Sequence, residues 1–292
     1  MSHHPRPEAP PWQGYEFLAS GEGQRLERWG DLTILRPESA AQSPWASPEK
    51  LPSWEGRYTG DRATGGRWEW RRPLPDPCVV TRGSLSFTVH PTTSKHLGLF
   101  PEQAENWDWI AELISGAVRH GKSPSALNLF GYTGGATLAA AAAGASVCHV
   151  DAVRSVVSWC SANARLSGLG NAPIRYIVED ALTFLRREIR RGKRYDVIVM
   201  DPPAFGRGKG GELWKLADQL PLLLETAQEA LSASPLFLLL NTYSEHAGDL
   251  GEEEISGILT RRGGSCETVE PTLTGSLDGR RLTCGLSHRW RP

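Results

Sequence analysis

After about residue 80, short apolar runs alternate with stretches whose apolar residues recur every three or four positions. The apolar runs predict β-strands at 126–130, 146–150, 174–178, 196–200 and 236–240. The periodic stretches predict helices at 135–143, 154–167, 181–191 and 213–231, and an earlier helix opens at Pro101. Weaker strands are predicted near 266–269 and 282–287. Strands that alternate with helices of this length predict an α/β fold built on a mostly parallel sheet with both faces covered.

The chain has a different character before residue 80. Tryptophan, proline and glycine are dense there, and the short runs 32–35 and 67–70 have the composition of strands. We therefore expect a small β-rich unit over residues 1–80, followed by the larger α/β domain over residues 81–292.

Composition narrows the class of protein only slightly. A chain of 292 residues with 39% hydrophobic content and a net charge of -1 is typical of a globular protein, and this balance does not require a nucleic-acid partner. Only six of the 32 basic residues are lysine, and the arginine fork suits phosphate and base edges. Biased genome composition explains this preference equally well.

Cysteine usage and apolar runs bear on the compartment. Five cysteines without a C-x-x-C pair indicate neither a disulfide framework nor a zinc site, so we expect a reducing, cytoplasmic environment and no metal. The first residues lack the apolar core of a signal peptide, and the longest small-apolar run is far shorter than the ~20 residues that span a bilayer. We expect neither export nor membrane insertion.

Candidate ligand-binding residues follow the predicted strands. In open α/β sheets, ligands bind beyond the carboxyl ends of the strands. The residues at those ends are Gly131, Gly134 and Gly135 after the first strand, Asp151 after the second, Glu179 and Asp180 after the third, and "DPPAF" at 201–205 after the fourth.

Each of these positions suits part of a nucleoside ligand. The glycines allow close backbone approach, and the free N–H groups of the helix that follows suit an anion such as a carboxylate. Asp151 can accept both ribose hydroxyls, and Asp180 can accept an adenine amino group. Two consecutive prolines after Asp201 make a rigid, carbonyl-rich edge. Phe205 can stack on a planar acceptor group that is held by these carbonyls. Taken alone, the glycine turn is also explained by tight packing between a strand and a helix. Asp151 alone is also explained as a solvated acidic residue of a loop.

The order of these motifs resembles a known family. "LNLFGYTGG", "HVDAVRSVVSWCSANA", "VEDALTFL" and "YDVIVMDPPAFGRG" resemble the class I S-adenosylmethionine-dependent methyltransferases, in particular the group that includes the 23S ribosomal RNA large-subunit methyltransferases. The resemblance covers about residues 80–290. The segment "SKHLGLFPEQAENWDWI" is similar to that group's lead-in to the first strand, and the N-terminal segment is similar to the small β unit of relatives that lack a PUA domain.

The resemblance implies a Rossmann-like domain with a seven-stranded sheet, S-adenosylmethionine as cofactor, and ribosomal RNA as partner. It implies cofactor-binding roles for Gly98, Phe100, Asn128, Phe130, Gly131, Thr133, Gly134, Asp151, Ala152, Asp180, Ala181 and Asp201. It implies acceptor-facing, catalytic roles for Asp201, Pro202, Pro203 and Phe205. Asn163 is expected to buttress the site without touching the ligand, and no metal is implied.

The chain departs from the cytosine-C5 members of this group. Those members carry a cysteine after the fifth strand, because C5 reacts only after a thiolate adds to C6. Here Thr242, Tyr243 and Ser244 occupy that segment, while Cys148 and Cys284 fall in predicted strands, where buried, inert thiols are expected. A nitrogen or oxygen acceptor is therefore favoured. Tyr243, Ser244 and His246 fit the lining of an acceptor pocket, and they fit a surface turn equally well.

Substrate evidence comes from two basic segments. "GRYTGDRATGGRWEWRRP" mixes arginines with aromatics, as single-stranded RNA binding requires, yet a glycine-bent hairpin explains it equally well. Arg207, Lys209 and Lys215 suit either phosphate binding or a plain lid. The favoured function is methylation of a base nitrogen in ribosomal RNA. A methyltransferase for protein or small molecules, and a dinucleotide-dependent oxidoreductase, are the alternatives.

Overall fold

A computed structural model describes residues 10–60, 65–207, 213–243 and 251–292. Contacts divide the chain into two compact units. The first comprises residues 1–99 with 274–282, and the second comprises residues 100–273 with 283–292. By contacts, residues 81–99 thus group with the first unit, and the domain boundary at residue 80 stays a prediction.

The first unit is built from β-strands. Its strands are β1 (Trp12–Gln13), β2 (Tyr15–Gly21), β3 (Gln24–Trp29), β4 (Leu32–Pro37), β5 (Gly56–Thr59), β6 (Arg67–Trp70), β7 (Cys78–Arg82) and β8 (Leu85–Val89). Strands β2 to β6 form a five-stranded sheet in sequential order, and β1, β7 and β8 form a three-stranded sheet.

A charged cluster lies inside this unit. Glu27 is fully buried between Arg25 and Arg36, at 2.6 Å from each, and it accepts a hydrogen bond from the Tyr15 hydroxyl. Burial alone would raise the pKa of Glu27, but the two guanidinium groups and the hydrogen bonds outweigh it and lower that pKa to about 2. The cluster joins β2, β3 and β4 through charge as well as through packing.

The second unit alternates helices with strands. Its helices are α1 (Ala104–Arg119), α2 (Gly135–Ala142), α3 (Arg154–Leu166), α4 (Ala181–Arg190), α5 (Leu216–Glu229) and α6 (Glu252–Leu259). Its strands are β9 (Ser125–Leu129), β10 (Ser146–Asp151), β11 (Ile174–Val178), β12 (Val197–Met200), β13 (Phe205–Arg207), β14 (Leu213–Lys215), β15 (Phe237–Thr242), β16 (Ser265–Val269) and β19 (Leu286–Arg291). Two short strands, β17 (Thr272–Thr274) and β18 (Arg281–Thr283), pair with each other.

Seven strands form the main sheet, in the order β11-β10-β9-β12-β15-β19-β16. The first five are parallel, whereas β19 runs antiparallel to both of its neighbours. After β9, the chain adds β10 and β11 on one side of that strand and then returns to place β12 and β15 on its other side. The carboxyl ends of the parallel strands therefore meet at one edge of the sheet, where ligands bind in such folds.

Both faces of this sheet are covered, as the alternation of side chains along buried strands requires. Leu127 and Leu129 of β9 face a core formed with α4, α5 and α6, while Ala126 faces a second core formed with α1 and α2. The predicted α/β fold with a mostly parallel seven-stranded sheet after a β-rich segment is confirmed.

Two local predictions were wrong, and one helix was not predicted. The helix predicted from residue 213 begins at Leu216, because residues Leu213–Lys215 form β14. The strand predicted at 282–287 is divided between β18 and β19, so that Cys284 lies between strands. Helix α6 was not predicted, because its first turn consists of three glutamates and only Ile255, Ile258 and Leu259 are buried.

Candidate functional site

The glycine turn connects β9 to α2 at the ligand-binding edge of the sheet. The Gly131 N–H donates to the Val150 carbonyl at 3.0 Å, which ties the turn to β10, and the Gly134 N–H closes it onto the Gly131 carbonyl at 3.0 Å. Gly134 has a φ of 99° and precedes the first residue of α2. Glycine is required there, since side chains rarely adopt this conformation.

A cluster of buried polar side chains supports the turn from the core of the unit. Thr137 on α2 lies 2.9 Å from both the Asn128 amide nitrogen and Nδ1 of His149. A Cβ added to Gly131 would overlap the His149 ring. Burial lowers the pKa of His149 to about 4, so the imidazole is neutral at pH 7. The Asn128 side chain thus braces the turn from within the core.

Contacts from α3 and α1 complete the support of the turn. Asn163 is fully buried and donates to the Thr133 carbonyl at 3.0 Å, so its expected buttressing role is confirmed. A Cβ at Gly134 would overlap Cys160, and a Cβ at Gly135 would overlap the Trp107 ring. Close packing behind the turn is therefore one reason for these glycines.

Two non-glycine residues of the turn are held in the left-handed region, with φ of 55° at Phe130 and 49° at Tyr132. Such conformations are costly for bulky residues and concentrate at functional sites. The Phe130 ring lies 5.1 Å from that of Trp214, and the Tyr132 ring lies 5.5 Å from that of Phe100 and 6.4 Å from that of Trp159. Aromatic contacts on both sides hold the strained turn, a feature that local sequence pattern does not reveal.

Asp151 ends β10 beside the turn. Its two carboxylate oxygens accept backbone N–H groups of Tyr132 at 3.0 Å and Val153 at 2.9 Å, and the Ala152 N–H adds a further bond. Burial raises the pKa of Asp151, and these three hydrogen bonds oppose that shift. A carboxylate has about four lone-pair positions, so the oriented Asp151, with three of them engaged, retains the capacity to accept one further hydrogen bond, such as that of a ribose hydroxyl.

Asp180 follows β11 at the start of α4. Its Oδ1 accepts the Thr183 N–H at 2.8 Å, which caps the helix, and the buried Ala181 is the first helical residue. The neighbouring Glu179 is occupied by an ion pair with Arg187. The cap fixes Asp180 with one carboxylate oxygen engaged, which explains its position whether or not it meets a ligand.

Asp201 follows β12, and its carboxyl group is the most perturbed acid of this edge. Its Oδ1 is buried and has no hydrogen-bond partner among the described residues. Burial is the main cause that raises the pKa of Asp201 to about 7, and the nearby charge of Glu102 adds to it. Hydrogen bonds with Tyr243 and Asn241 partly offset this rise. A carboxyl group in this state can exchange a proton at neutral pH.

A buried polar network lies beneath Asp201. The Asn241 amide donates to Gln103 Oε1 at 3.0 Å, and the Asn106 amide donates to the same oxygen at 2.7 Å. Ser287 donates to Asn241 Oδ1 at 2.8 Å, and Tyr243 hydrogen bonds to Gln103 as well as to Asp201. Since these residues come from the start of α1, β15 and β19, the network fixes the floor of the site. Its partners are far apart in sequence, so no local pattern announces it.

Exposure to solvent differs among the other residues of the DPPAF motif. Pro202 is buried, Pro203 is exposed and Phe205 retains 45% of its surface. The Trp214 indole donates to the Pro203 carbonyl at 2.6 Å, and the Leu216 N–H donates to the Ala204 carbonyl at 2.9 Å. The segment after the motif thus folds back onto it. The sequence analysis did not identify Trp214 as a residue of the site, although Trp214 follows the motif closely in the sequence.

Gly98 is buried with a φ of 92° and groups by contacts with the first unit, so its cofactor-binding role stays a prediction. Ser244, His246 and Lys209 lie outside the described residues. The structure therefore groups Phe130, Gly131, Thr133, Gly134, Asp151, Ala152, Asp180, Ala181 and Asp201 at the ends of adjacent strands.

No disulfide joins the five cysteines, all of which lie in the described part of the chain, and burial raises the pKa of Cys78, Cys148, Cys160 and Cys266. Burial raises the pKa of Cys148 to about 11 and that of Cys160 further still. Cys160 lies 3.6 Å from Nδ1 of His149, but burial keeps both groups neutral. A thiolate nucleophile requires the opposite environment, with a lowered pKa.

The arginines of the β5–β6 hairpin are engaged within their own unit. Arg57 pairs with Glu69 at 2.7 Å, and Arg72 pairs with Asp31 at 2.5 Å. Arg71 lies 3.9 Å from the ring centroid of Trp54. These contacts favour the interpretation of this segment as a structural hairpin over that of an RNA-binding surface.

Two searches of the described residues gave no candidates. No described helix has the length and apolarity needed to cross a membrane. No group of three or more His, Cys, Asp or Glu side chains in the described part of the chain could hold a metal ion.

Comparison with known proteins identifies the family. Residues 32–234 match the family model described as S-adenosylmethionine-dependent methyltransferase. The crystal structure of a methyltransferase of this kind from Agrobacterium tumefaciens is 37% identical, with a TM-score of 0.86, and the match covers 96% of this chain and 91% of that one. SMU.776, a methyltransferase crystallised with S-adenosylhomocysteine (SAH), has a TM-score of 0.71 at 19% identity, covering 95% of this chain and 74% of that one, and so shows a shared fold.

A curated relative matches over a shorter stretch. Ribosomal RNA large subunit methyltransferase K/L of Syntrophotalea carbinolica is 36% identical over 134 residues, which is 46% of this chain but only 17% of that protein. Both the family model and the structural match include the glycine turn, Asp151 and Asp201. The chain belongs to the S-adenosylmethionine-dependent methyltransferases, with S-adenosylmethionine as its methyl donor.

Proposed function

We propose that this methyltransferase methylates a base nitrogen in ribosomal RNA. The observation that carries the proposal is that the segment after β12 holds both Asp201, whose buried Oδ1 has no hydrogen-bond partner among the described residues, and the exposed ring of Phe205. A planar acceptor stacked on Phe205 would bring a ring or amino nitrogen to Asp201. The ribosomal acceptor is supported by the curated relative alone. The cytoplasm, where ribosomal RNA is found, is part of the proposal.

The cofactor would lie over the glycine turn. Asp151 would hold the ribose, and Asp180 with Ala181 would lie beside the adenine. Phe130, Gly131, Thr133 and Gly134 would surround the methionine portion, together with Gly98 and Phe100. Asn128 and Ala152 would act through the backbone of the turn and of Asp151. When bound, S-adenosylmethionine supplies a methyl group on a sulfonium that is already electrophilic.

The residues of the chain would then orient the acceptor and remove its proton. Pro202 and Pro203 fix the backbone beside Asp201, so the acceptor nitrogen would be aligned with the methyl carbon without further rearrangement. Alignment of this kind contributes about 7 to 11 kcal/mol to rate acceleration. As the new N–C bond forms and the C–S bond breaks, with its electron pair left on sulfur, Asp201 would accept the proton that an amino nitrogen loses.

Cysteine-dependent methylation of cytosine C5 is disfavoured. None of Cys78, Cys148, Cys160 and Cys266 has the lowered pKa of a nucleophile, and Tyr243 follows β15 where C5 enzymes place their cysteine. A nitrogen acceptor needs no covalent intermediate, because its lone pair is itself nucleophilic.

A protein or small-molecule acceptor is the second candidate. It is favoured by the near-neutral net charge and by the ion pairs that engage Arg57 and Arg72 of the arginine-rich hairpin. The dinucleotide-dependent oxidoreductase is set aside, since the chain belongs to a methyltransferase family.

The test is transfer of labelled methyl groups from S-adenosylmethionine into 23S ribosomal RNA transcribed in vitro, compared with ribosomal protein. Mass mapping of modified nucleosides in ribosomal RNA from cells lacking the protein would then locate the atom. We expect one N-methylated nucleoside to disappear. Transfer into protein only, with unchanged RNA nucleosides, would support the second candidate instead.

A further inference from the structure

The β13–β14 hairpin follows the DPPAF motif directly, and its two faces differ. The register pairs Phe205 with Lys215 and Gly206 with Trp214. Directly opposed residues of antiparallel strands project to the same face, with Cβ atoms about 5 Å apart. Phe205 and Lys215 therefore share one face of the hairpin, and Trp214 projects from the other.

The inner face is anchored to the site. Trp214 is only 7% exposed, its ring packs against Phe130 at 5.1 Å, and its indole N–H donates to the Pro203 carbonyl at 2.6 Å. One side chain thus joins the glycine turn, the DPPAF turn and the start of α5. This contact engages one of the two lone pairs of the Pro203 carbonyl.

The outer face carries two exposed side chains, Phe205 and Lys215. Phe205 keeps 45% of its surface exposed although it is a large apolar side chain. Lys215 is exposed, makes no ion pair with any described residue, and is the N-cap of α5. A cation at the positive end of a helix is electrostatically unfavourable, and N-caps are usually Ser, Thr, Asp or Asn. Both residues suit a ligand that combines a flat ring with a negative charge.

We propose that this hairpin binds the acceptor nucleotide, with the base stacked on Phe205, its phosphate paired with Lys215, and Trp214 as the positioning residue that fixes the hairpin against the DPPAF turn. The inference rests on the proposed RNA function and adds to it the residues that would distinguish a phosphate-bearing acceptor from a free base or a protein side chain. Aromatic stacking and lysine–phosphate pairing are the usual contacts of single-stranded RNA.

The test compares labelled methyl transfer into 23S ribosomal RNA transcribed in vitro by the unaltered chain, Lys215→Gln and Lys193→Gln, at salt concentrations from about 50 to 200 mM. Lys193 is exposed and lies near the opposite edge of the sheet, after the last residue of α4. For Lys215→Gln we expect a KM for RNA raised about 5-fold and a salt-dependence slope lower by about 1, because one phosphate contact is lost. Lys193→Gln should match the unaltered chain, and the increase in Tm caused by SAH should be the same in all three.

Trp214 has a matched control in Trp290, another buried tryptophan, whose indole donates to the Gly263 carbonyl at 2.9 Å. Trp214→Phe keeps an aromatic ring beside Phe130 but loses the bond to Pro203. We expect it to raise KM for RNA without altering the salt slope or the effect of SAH on Tm, whereas Trp290→Phe should lower Tm alone.

The outcomes separate the two proposals. An unaltered chain that methylates RNA, together with a Lys215→Gln variant of unchanged KM and salt slope, overturns the hairpin proposal and leaves the proposed function standing. Equal effects of Trp214→Phe and Trp290→Phe on KM would show that Trp214 is not a positioning residue of the hairpin. If the unaltered chain transfers no methyl group to RNA, the proposed function fails and the hairpin proposal fails with it.

Discussion

The Asp151 carboxylate accepts the backbone N–H of Tyr132 at 3.0 Å, which joins the end of β10 to the strained turn that follows β9. One side chain therefore fixes the shape of the turn and, in the proposed function, holds the ribose of the cofactor. Variants at this position should affect binding and local order together.

Asp151→Ala should abolish most of the SAH-induced rise in Tm, and Asp151→Asn should weaken SAH binding by ~10-fold or more, because a charged acceptor of hydrogen bonds is lost. Calorimetric titration with SAH measures both. NAD should cause no rise in Tm with the unaltered chain. Binding of SAH to Asp151→Ala at full affinity would remove Asp151 from the cofactor site.

Two substitutions at Asp180 separate its structural role from ligand binding. Asp180→Ser keeps an N-cap for α4, whereas Asp180→Ala loses it at a cost of about 1 kcal/mol. If Asp180 accepts the adenine amino group, Asp180→Ser should bind SAH more weakly at unchanged Tm, and Asp180→Ala should show both losses. Unchanged SAH affinity in Asp180→Ser would reduce this residue to a helix cap.

The raised pKa of Asp201 predicts how stability varies with pH. Its pKa is about 7 in the folded state and near the ordinary aspartate value of 3.8 in the unfolded state, so between these pH values the folded state retains a proton that the unfolded state has lost. Between these values stability falls as pH rises. Asp201→Asn should therefore stabilise the fold at about pH 8, by up to ~4 kcal/mol, and have no such effect at about pH 4. Denaturant unfolding at both pH values checks the sign.

The same group should govern the pH dependence of activity. If Asp201 accepts the proton of an amino acceptor, kcat/KM should rise with pH to a plateau above about pH 7, and Asp201→Asn should lose that limb together with most of the activity. A ring nitrogen that carries no proton would leave kcat/KM flat in the unaltered chain. The pH profile thus distinguishes the two classes of nitrogen.

The cysteines should be dispensable. Each of the variants Cys78→Ala, Cys148→Ala, Cys160→Ala, Cys266→Ala and Cys284→Ala should retain methyl transfer. Burial raises the pKa of the first four thiols and so keeps them protonated at neutral pH, and Cys284 is buried. Incorporation of labelled methyl into RNA is the measurement. Loss of activity in one well-folded variant would restore covalent C5 chemistry as a candidate.

The sequence predicted the sheet and the helices that contact it well, because buried strands such as β9 and β12 are short apolar runs separated by strongly periodic helices. It failed at Leu213–Lys215, where three residues are too few for periodicity to separate a strand from the first turn of a helix. It also failed at α6, whose acidic first turn has no apolar periodicity.

Only those candidate site residues that directly follow a strand could be predicted from the sequence. Asp151 and Asp201 could be found by their positions after β10 and β12. The network through Asn106 and Asn241 could not, because its partners are 135 residues apart in sequence. The left-handed conformations of Phe130 and Tyr132 depend on rings contributed by other segments, so they too lie beyond local pattern.

Those same rings give the molecule an optical reporter. Of its eleven tryptophans, Trp159 and Trp214 contact the rings of the strained turn, at Tyr132 and Phe130 respectively. A ligand that reorders the turn must change the surroundings of these two indoles. Intrinsic fluorescence can therefore follow occupancy of the turn without any label, and Trp159→Phe and Trp214→Phe would assign the signal to one side of it.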